Sequence, residues 1–164
     1  AASDVYKRQI FNHAIDSIQN VTVAAGFTRE ISENANNTSY YRNAYGLGLA
    51  YNFVHTTYGL DLERQVTKNQ GDKRTKNEVR AVVRQGLNED WNVYAMYAYK
   101  TDKQFGDTDR TRQFMVGTEY YVYNQGSLKV KPFLEWQATR TKYENSTVDR
   151  SRDFKTVIGL RAYW

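Results

Sequence analysis

Apolar and polar residues alternate with a period of two along most of the chain. One parity reads Val21, Val23, Ala25, Phe27; then Tyr45, Leu47, Leu49, Tyr51, Phe53; then Tyr58, Leu60, Leu62; then Val79, Ala81, Val83. It resumes with Trp91, Val93, Ala95, Tyr97, Tyr99; Phe114, Val116, Thr118, Tyr120, Val122; Leu128, Val130, Leu134, Trp136, Ala138; and Phe154, Ile158, Leu160, Ala162, Trp164. Eight extended segments are predicted, each with one apolar face. The opposite parity is polar, small or charged, as in Arg42, Gly46 and Gly48, or Glu78, Arg80 and Arg84, or Lys129, Lys131 and Glu135.

A soluble antiparallel sheet would alternate in the same way, so the connections must discriminate. In order they read ISENANNTS, FVHT, VTKNQGDKRTK, LNED, TDKQFGDTDRT, NQGS and KYENSTVDRSR, long and short in strict alternation. Long polar loops at one end, short turns at the other and an even strand count are the pattern of a transmembrane antiparallel up-and-down β-barrel in a bacterial outer membrane. A soluble meander barrel has no reason to segregate loop length to one end. The last segment, VIGLRAYW, ends on an aromatic residue. In outer-membrane barrels a final strand with a terminal aromatic is the usual feature by which the barrel-assembly machinery recognises its substrates, and Ile158, Leu160, Ala162 and Trp164 are expected to carry it here.

Composition agrees with an all-β membrane reading once an average is not mistaken for a topology. The 164 residues suit one domain, and a mean hydropathy of −0.78 with 25% charged residues leaves no apolar run near the roughly 18 residues of a spanning helix. A strand crosses with about 9 to 11 residues and needs lipid-compatible side chains only at alternate positions. Fourteen Tyr and three Trp fit interfacial belts. With no Cys, and only His13 and His55 as imidazoles, most metal and triad chemistry is excluded; neither an enzyme nor a cofactor is expected. Residues 1–9, AASDVYKRQ, match the translation of a common sequencing adapter and are read as read-through. Ile10–Asn20 fits neither pattern, being either a periplasmic segment or the remnant of an earlier strand and turn, and the barrel is assigned to residues 21–164.

Three stretches carry a family resemblance: LNEDWNVYAMYAYKTD, a short turn with an aspartate before an aromatic strand; LKVKPFLEW, with Lys-Pro-Phe in the penultimate strand; and the closing DFKTVIGLRAYW. Over Tyr45–Trp164 the chain resembles the oligogalacturonate-specific monomeric porins. The resemblance implies a narrow monomeric barrel of about twelve strands that admits acidic oligosaccharides past lumenal arginines and lysines. Two departures stand out: eight segments are visible, and the last residue is Trp where Phe is commoner. Four N-terminal strands missing through truncation would account for the first.

Strand parity turns the inward residues into candidates. The inward cations are Arg42, Arg80, Arg84, Lys100, Lys129, Lys131, Lys155 and Arg161, with Tyr94, Tyr121 and Tyr123 to accommodate sugar rings. Arginine is the better carboxylate binder because its planar fork engages both oxygens. Inward acids nearly balance them: Glu30, Asp61, Glu63, Glu78, Glu119, Glu135 and Asp153. Internal salt bridges filling a narrow, closed eight-stranded barrel with a structural or surface role are therefore the alternative, and a soluble ligand-binding β-barrel is a further one. Asp102, Asp107 and Asp109 lack the ordered ligand series of a calcium loop and are expected to be solvated loop acids. Basic connections such as TKNQGDKRTK are placed to meet lipopolysaccharide phosphates. Asn36-Asn37-Thr38 and Asn145-Ser146-Thr147 fit the glycosylation acceptor pattern, which carries no meaning in a bacterial outer membrane. Basic and aromatic residues sit on opposite faces, which argues against a nucleic-acid groove.

Overall fold

Each alternating run forms a strand, because β-branched and aromatic residues at every second position fit a pleated surface. The computed structural model describes residues 5–18, 20–33, 39–69, 71–125, 128–145 and 150–163. Its strands are β1 (Val5–Ile18), β2 (Val21–Glu33), β3 (Ser39–Phe53), β4 (Thr56–Asn69), β5 (Asp72–Gly86), β6 (Trp91–Gln104), β7 (Asp107–Tyr120), the short β8 (Tyr123–Gln125), β9 (Leu128–Lys142) and β10 (Arg150–Tyr163). All belong to one antiparallel meander in the order β1-β2-β3-β4-β5-β6-β7-β9-β10, with β8 paired to β9. The eight expected segments are β2 to β7, β9 and β10. A ninth long strand precedes them: much of the segment left undetermined lies in β1, whose Phe11 faces Phe27 of β2 in register. Among the described residues β1 and β10 are not paired with each other.

Two of the expected long loops are corrected, while the middles of the other two, at 34–38 and 146–149, lie outside the described residues. At Val66–Lys76 and Thr101–Thr111 the polar residues continue the strands, which run up to Asn69 and from Asp72 in the first and leave only Phe105–Gly106 as turn in the second. Phe105 and Gly106 have φ of 52° and 93°, the two positive values a type I′ hairpin turn requires. The reason is that polarity says where hydrocarbon ends, not where backbone pairing ends. Strands of 14 or 15 residues exceed the about 9 to 11 needed to cross, so β4–β5 and β6–β7 stand out of the apolar band as paired hairpins. The end asymmetry survives as strand overhang. At the other end the chain turns at Asn20, at Val54–His55, at Leu87–Asp90 and between β7 and β9.

Burial is inverted relative to a soluble sheet. Outward apolar side chains from Tyr45 on β3 to Ile158 on β10 are exposed, Ile158 at 79%, whereas the most buried side chains described are Ala98 (0%), Glu119 (1%) and Lys131 (6%), all inward. Aromatic residues cluster at both margins of the apolar face. Tyr51 stacks with Tyr58 at 6.4 Å near the Val54 turn, and Trp136 stacks on Phe154 at 6.0 Å towards the overhanging end. Such girdles sit at the two bilayer interfaces. Leu49 and Leu60, paired in register, lie between them.

Leu60→Arg is expected to destabilise the lipid-inserted protein by about 2–4 kcal/mol. The same change at inward Thr139, which faces Asp153 in register, should cost less than about 1 kcal/mol, because a wet lumen solvates the new charge. Urea titration of protein folded into lipid vesicles measures both; equal costs would contradict the assignment of faces.

A charged inner face as the candidate site

Five strands, β5, β6, β7, β9 and β10, converge their inward side chains near the short-turn end. Arg84 on β5 faces Tyr94 on β6 in register, and Tyr94 in turn faces Gly117 on β7. The Tyr94 ring lies across Gly117, where a Cβ would sit 2.5 Å from ring carbons, so only glycine permits this approach. Its hydroxyl thereby crosses β7 and donates to Glu135 Oε1 on β9 at 2.6 Å. The arrangement repeats two strands along: Phe133 on β9 covers Gly159 on β10, again 2.5 Å from an added Cβ. The Arg161 guanidinium then stacks 4.2 Å over Phe133.

Glu119 is the hub. Arg84 pairs with its Oε1, Lys131 Nζ lies 3.2 Å from the same oxygen, and Arg161 Nη1 donates to Oε2 at 3.0 Å. Arg161 Nη2 donates to Glu135 at 2.8 Å. Lys131 Nζ also sits between the Tyr121 and Tyr163 rings, 5.0 and 5.1 Å from their centroids, within cation-π range. A fully buried carboxylate persists only when paired, and here three cations share two acids. The side chains of Arg84 and Arg161 remain 43% and 37% exposed on the inner face.

The remaining candidates fall into separate groups. Glu78 pairs with Arg80 at 2.7 Å and Lys100 at 3.2 Å. Arg42 donates to Gln65 at 3.0 Å and lies 3.6 Å from Glu30. Lys129 is inward but exposed at the strand end, opposite Tyr163, and Lys155 is exposed opposite Gln137. Tyr123 is corrected: β7 breaks after Tyr120, and Tyr123 re-enters the sheet opposite outward-facing Val130, which reverses its parity. Ile158 and Leu160 point outward; Trp164 lies outside the described residues, as do Asn36, Asn37, Thr38, Ser146 and Thr147.

The supposed loop acids are also relocated. Asp102 on β6 receives two hydrogen bonds from Arg74, at 2.8 and 2.5 Å, with Lys76 at 3.8 Å. Asp107 accepts from Asn145 at 3.1 Å, and Asp109 from the Glu144 amide at 3.3 Å. Arg74 and Lys76, missed while that stretch was read as loop, continue the inward parity of Glu78 and Arg80. Phe133 was missed too, although its place two residues from Lys131 puts it on the same inward face.

No protein-family model and no curated protein sequence matches the chain. Solved structures do. The chain resembles OmpTdeltaL8, a loop L8 deletion mutant of OmpT, an outer membrane protein of Vibrio cholerae, with a TM-score of 0.72 at 12% identity over 99% of this chain and 53% of that one. Outer-membrane expressed OmpT of Vibrio cholerae matches with a TM-score of 0.71 at 13% identity over 96% and 57%. The siderophore receptor PirA from Pseudomonas aeruginosa matches with a TM-score of 0.68 at 7% identity over 96% and 30%. The chain thus spans about half the length of the OmpT structures. The shared fold is that of bacterial outer-membrane β-barrels, and a location in that membrane goes with it.

Glu119→Gln removes the charge that holds Arg84, Lys131 and Arg161 together, and should destabilise the folded protein by about 3–5 kcal/mol. Tyr94→Phe removes one hydrogen bond and keeps the ring over Gly117, costing about 1 kcal/mol. Urea midpoints in lipid vesicles rank the two; a Tyr94→Phe loss as large as that of Glu119→Gln would contradict the hub assignment.

Proposed function

We propose that this chain forms part of the wall of an outer-membrane channel through which small acidic oligosaccharides of the oligogalacturonate type pass without catalysis. The observation that carries this reading is the cluster of Arg84, Lys131 and Arg161 on the inner face. Its cations outnumber the carboxylates they touch, and the Arg84 and Arg161 side chains stay partly exposed. A uronate carboxylate competes with Glu119 and Glu135 for the same forks, which bind both oxygens of a carboxylate at once. Because the resident acids already occupy those cations, each contact is weak. Weak sites in series let a polyanion move on without being trapped.

The aromatic rings serve the neutral part of such a ligand. Tyr94 and Tyr121 lie beside the cations and offer ring surface suited to the apolar face of a sugar ring. Arg80 with Lys100, and Arg42 further along β3, continue positive charge up the same wall towards the overhanging end. The resemblance to the oligogalacturonate-specific monomeric porins supports the same substrate class and a monomer. On this reading the outward Ile158 and Leu160 of β10 belong to the segment that the barrel-assembly machinery recognises.

Planar-bilayer recording tests the proposal. The protein should conduct, trigalacturonate should lower the conductance in a saturable way, and Arg84→Ala should weaken that block about tenfold, a loss of about 1.4 kcal/mol. Neutral maltotriose should block far less. A protein that inserts but does not conduct, or that trigalacturonate blocks equally with and without Arg84, would overturn the channel reading.

A further inference from the structure

Register places charge on the outer face in a way that loop reading conceals. Arg112 on β7 faces Arg140 on β9, which faces Arg152 on β10; one step outward, Arg110 faces Lys142, which faces Arg150. All six side chains are exposed, and none forms an ion pair among the described residues. The adjacent row towards the bilayer centre is Phe114, Ala138 and Phe154, with Trp136 packed against both phenylalanines. The cations therefore begin one residue pair beyond the aromatic margin, at the depth of lipid headgroups.

The asymmetry extends around the sheet. From β3 to β10 every Asp and Glu within a strand has inward parity, whereas ten Lys and Arg occupy outward positions, all at the overhanging end. The outward positions at the opposite end are apolar or uncharged from β3 to β10. Among the described residues the nearest acids are turned away or engaged: Asp153 is inward, Asp109 accepts the Glu144 amide, and the Glu144 carboxylate accepts the Thr108 amide. Beside Arg110 an open groove of about 940 Å³ carries Arg64, Lys73 and Lys103, with Asp72 its one acid.

Like charges directly opposite one another in a sheet are destabilising, so six cations in two rows call for an external anion. Neighbouring strands are about 4.8 Å apart and alternate residues about 6.8 Å apart, spacings over which one phosphate can bridge two guanidiniums. We infer that this array is a binding site for the phosphorylated glycolipid of the outer leaflet, lipopolysaccharide, whose lipid A phosphates would lie on Arg112, Arg140 and Arg152 while its acyl chains pack on Phe114, Trp136 and Phe154. The groove beside Arg110 gives the sugars room. The strand overhang marks this end as the outer one, and restriction of the cations to it matches a ligand confined to one leaflet. The site rests on the outer face and is independent of the channel reading.

The test is a titration of the protein folded in detergent micelles with bisphosphoryl lipid A, monophosphoryl lipid A, phosphatidylglycerol and inorganic phosphate, followed by native mass spectrometry. Bisphosphoryl lipid A should bind saturably and at least tenfold more tightly than the monophosphoryl form, with phosphatidylglycerol and inorganic phosphate weaker still. The triple variant Arg112→Gln, Arg140→Gln, Arg152→Gln should lose at least tenfold in affinity for bisphosphoryl lipid A while folding at least as well, since it relieves repulsion. Replacing all three with Lys should give an intermediate loss, because the charge stays and the fork goes. Unchanged lipid A affinity in the Gln variant, equal binding of phosphatidylglycerol, binding of inorganic phosphate alone, or failure of that variant to fold would each overturn the proposal.

Discussion

Hydrocarbon offers no partner to a backbone amide, so any extended chain within it must have its N–H and C=O groups taken up by neighbouring strands. That constraint organises the molecule. It makes the sheet continuous from β1 to β10, keeps the connections within the sheet short and obliges each side chain to choose between lipid and the enclosed side. It also explains why the only strongly buried side chains described are a small alanine, a carboxylate and a lysine: the dry phase is outside. Polar residues are brought together on the inner face, where Glu119 can be buried because three cations reach it from β5, β9 and β10. The same constraint acts on β1 and β10, each paired on one side only among the described residues. Backbone exposed along such an edge costs several kcal/mol per unpaired group in lipid.

The inner face shows how a meander builds a site without loops. Glycines at 117 and 159 let an aromatic ring from the neighbouring strand lie flat over the backbone. Each ring then supports what lies beyond it, Glu135 in one case and the Arg161 guanidinium in the other. Rigid strands rather than mobile segments thus set the distances among Arg84, Glu119, Glu135, Lys131 and Arg161. Bracing and ligand binding are compatible roles for such a cluster, since carboxylates that pre-orient guanidiniums also hold them open to a second carboxylate.

Much of the architecture was legible in alternation alone, because a period of two that puts valine, leucine and tyrosine on one side reports the face directly. Inward placement of Arg80, Arg84, Lys131 and Arg161 followed from parity. What alternation could not report was where strands end: the polar hairpins around Gly71 and Gly106 looked like loops because polarity was taken for irregularity. That error hid Arg74 and Lys76 on the inner face. It also hid the outer rows, although Arg110 with Arg112, Arg140 with Lys142 and Arg150 with Arg152 each repeat at a spacing of two. Cross-strand register, which joins those three pairs into one array, depends on turn positions that no single segment encodes. Tyr123 was misplaced for a related reason, since the break after Tyr120 reverses parity in the short β8.

The account stands on the apolar face meeting lipid. Its most direct measurement is tryptophan fluorescence of a variant that retains Trp136 alone, folded into vesicles whose acyl chains carry bromine. If the account holds, Trp136 is quenched strongly by the brominated chains and scarcely by aqueous iodide. Quenching by iodide with indifference to the brominated chains, or indifference to both, would place that ring in water or in a protein interior and contradict it.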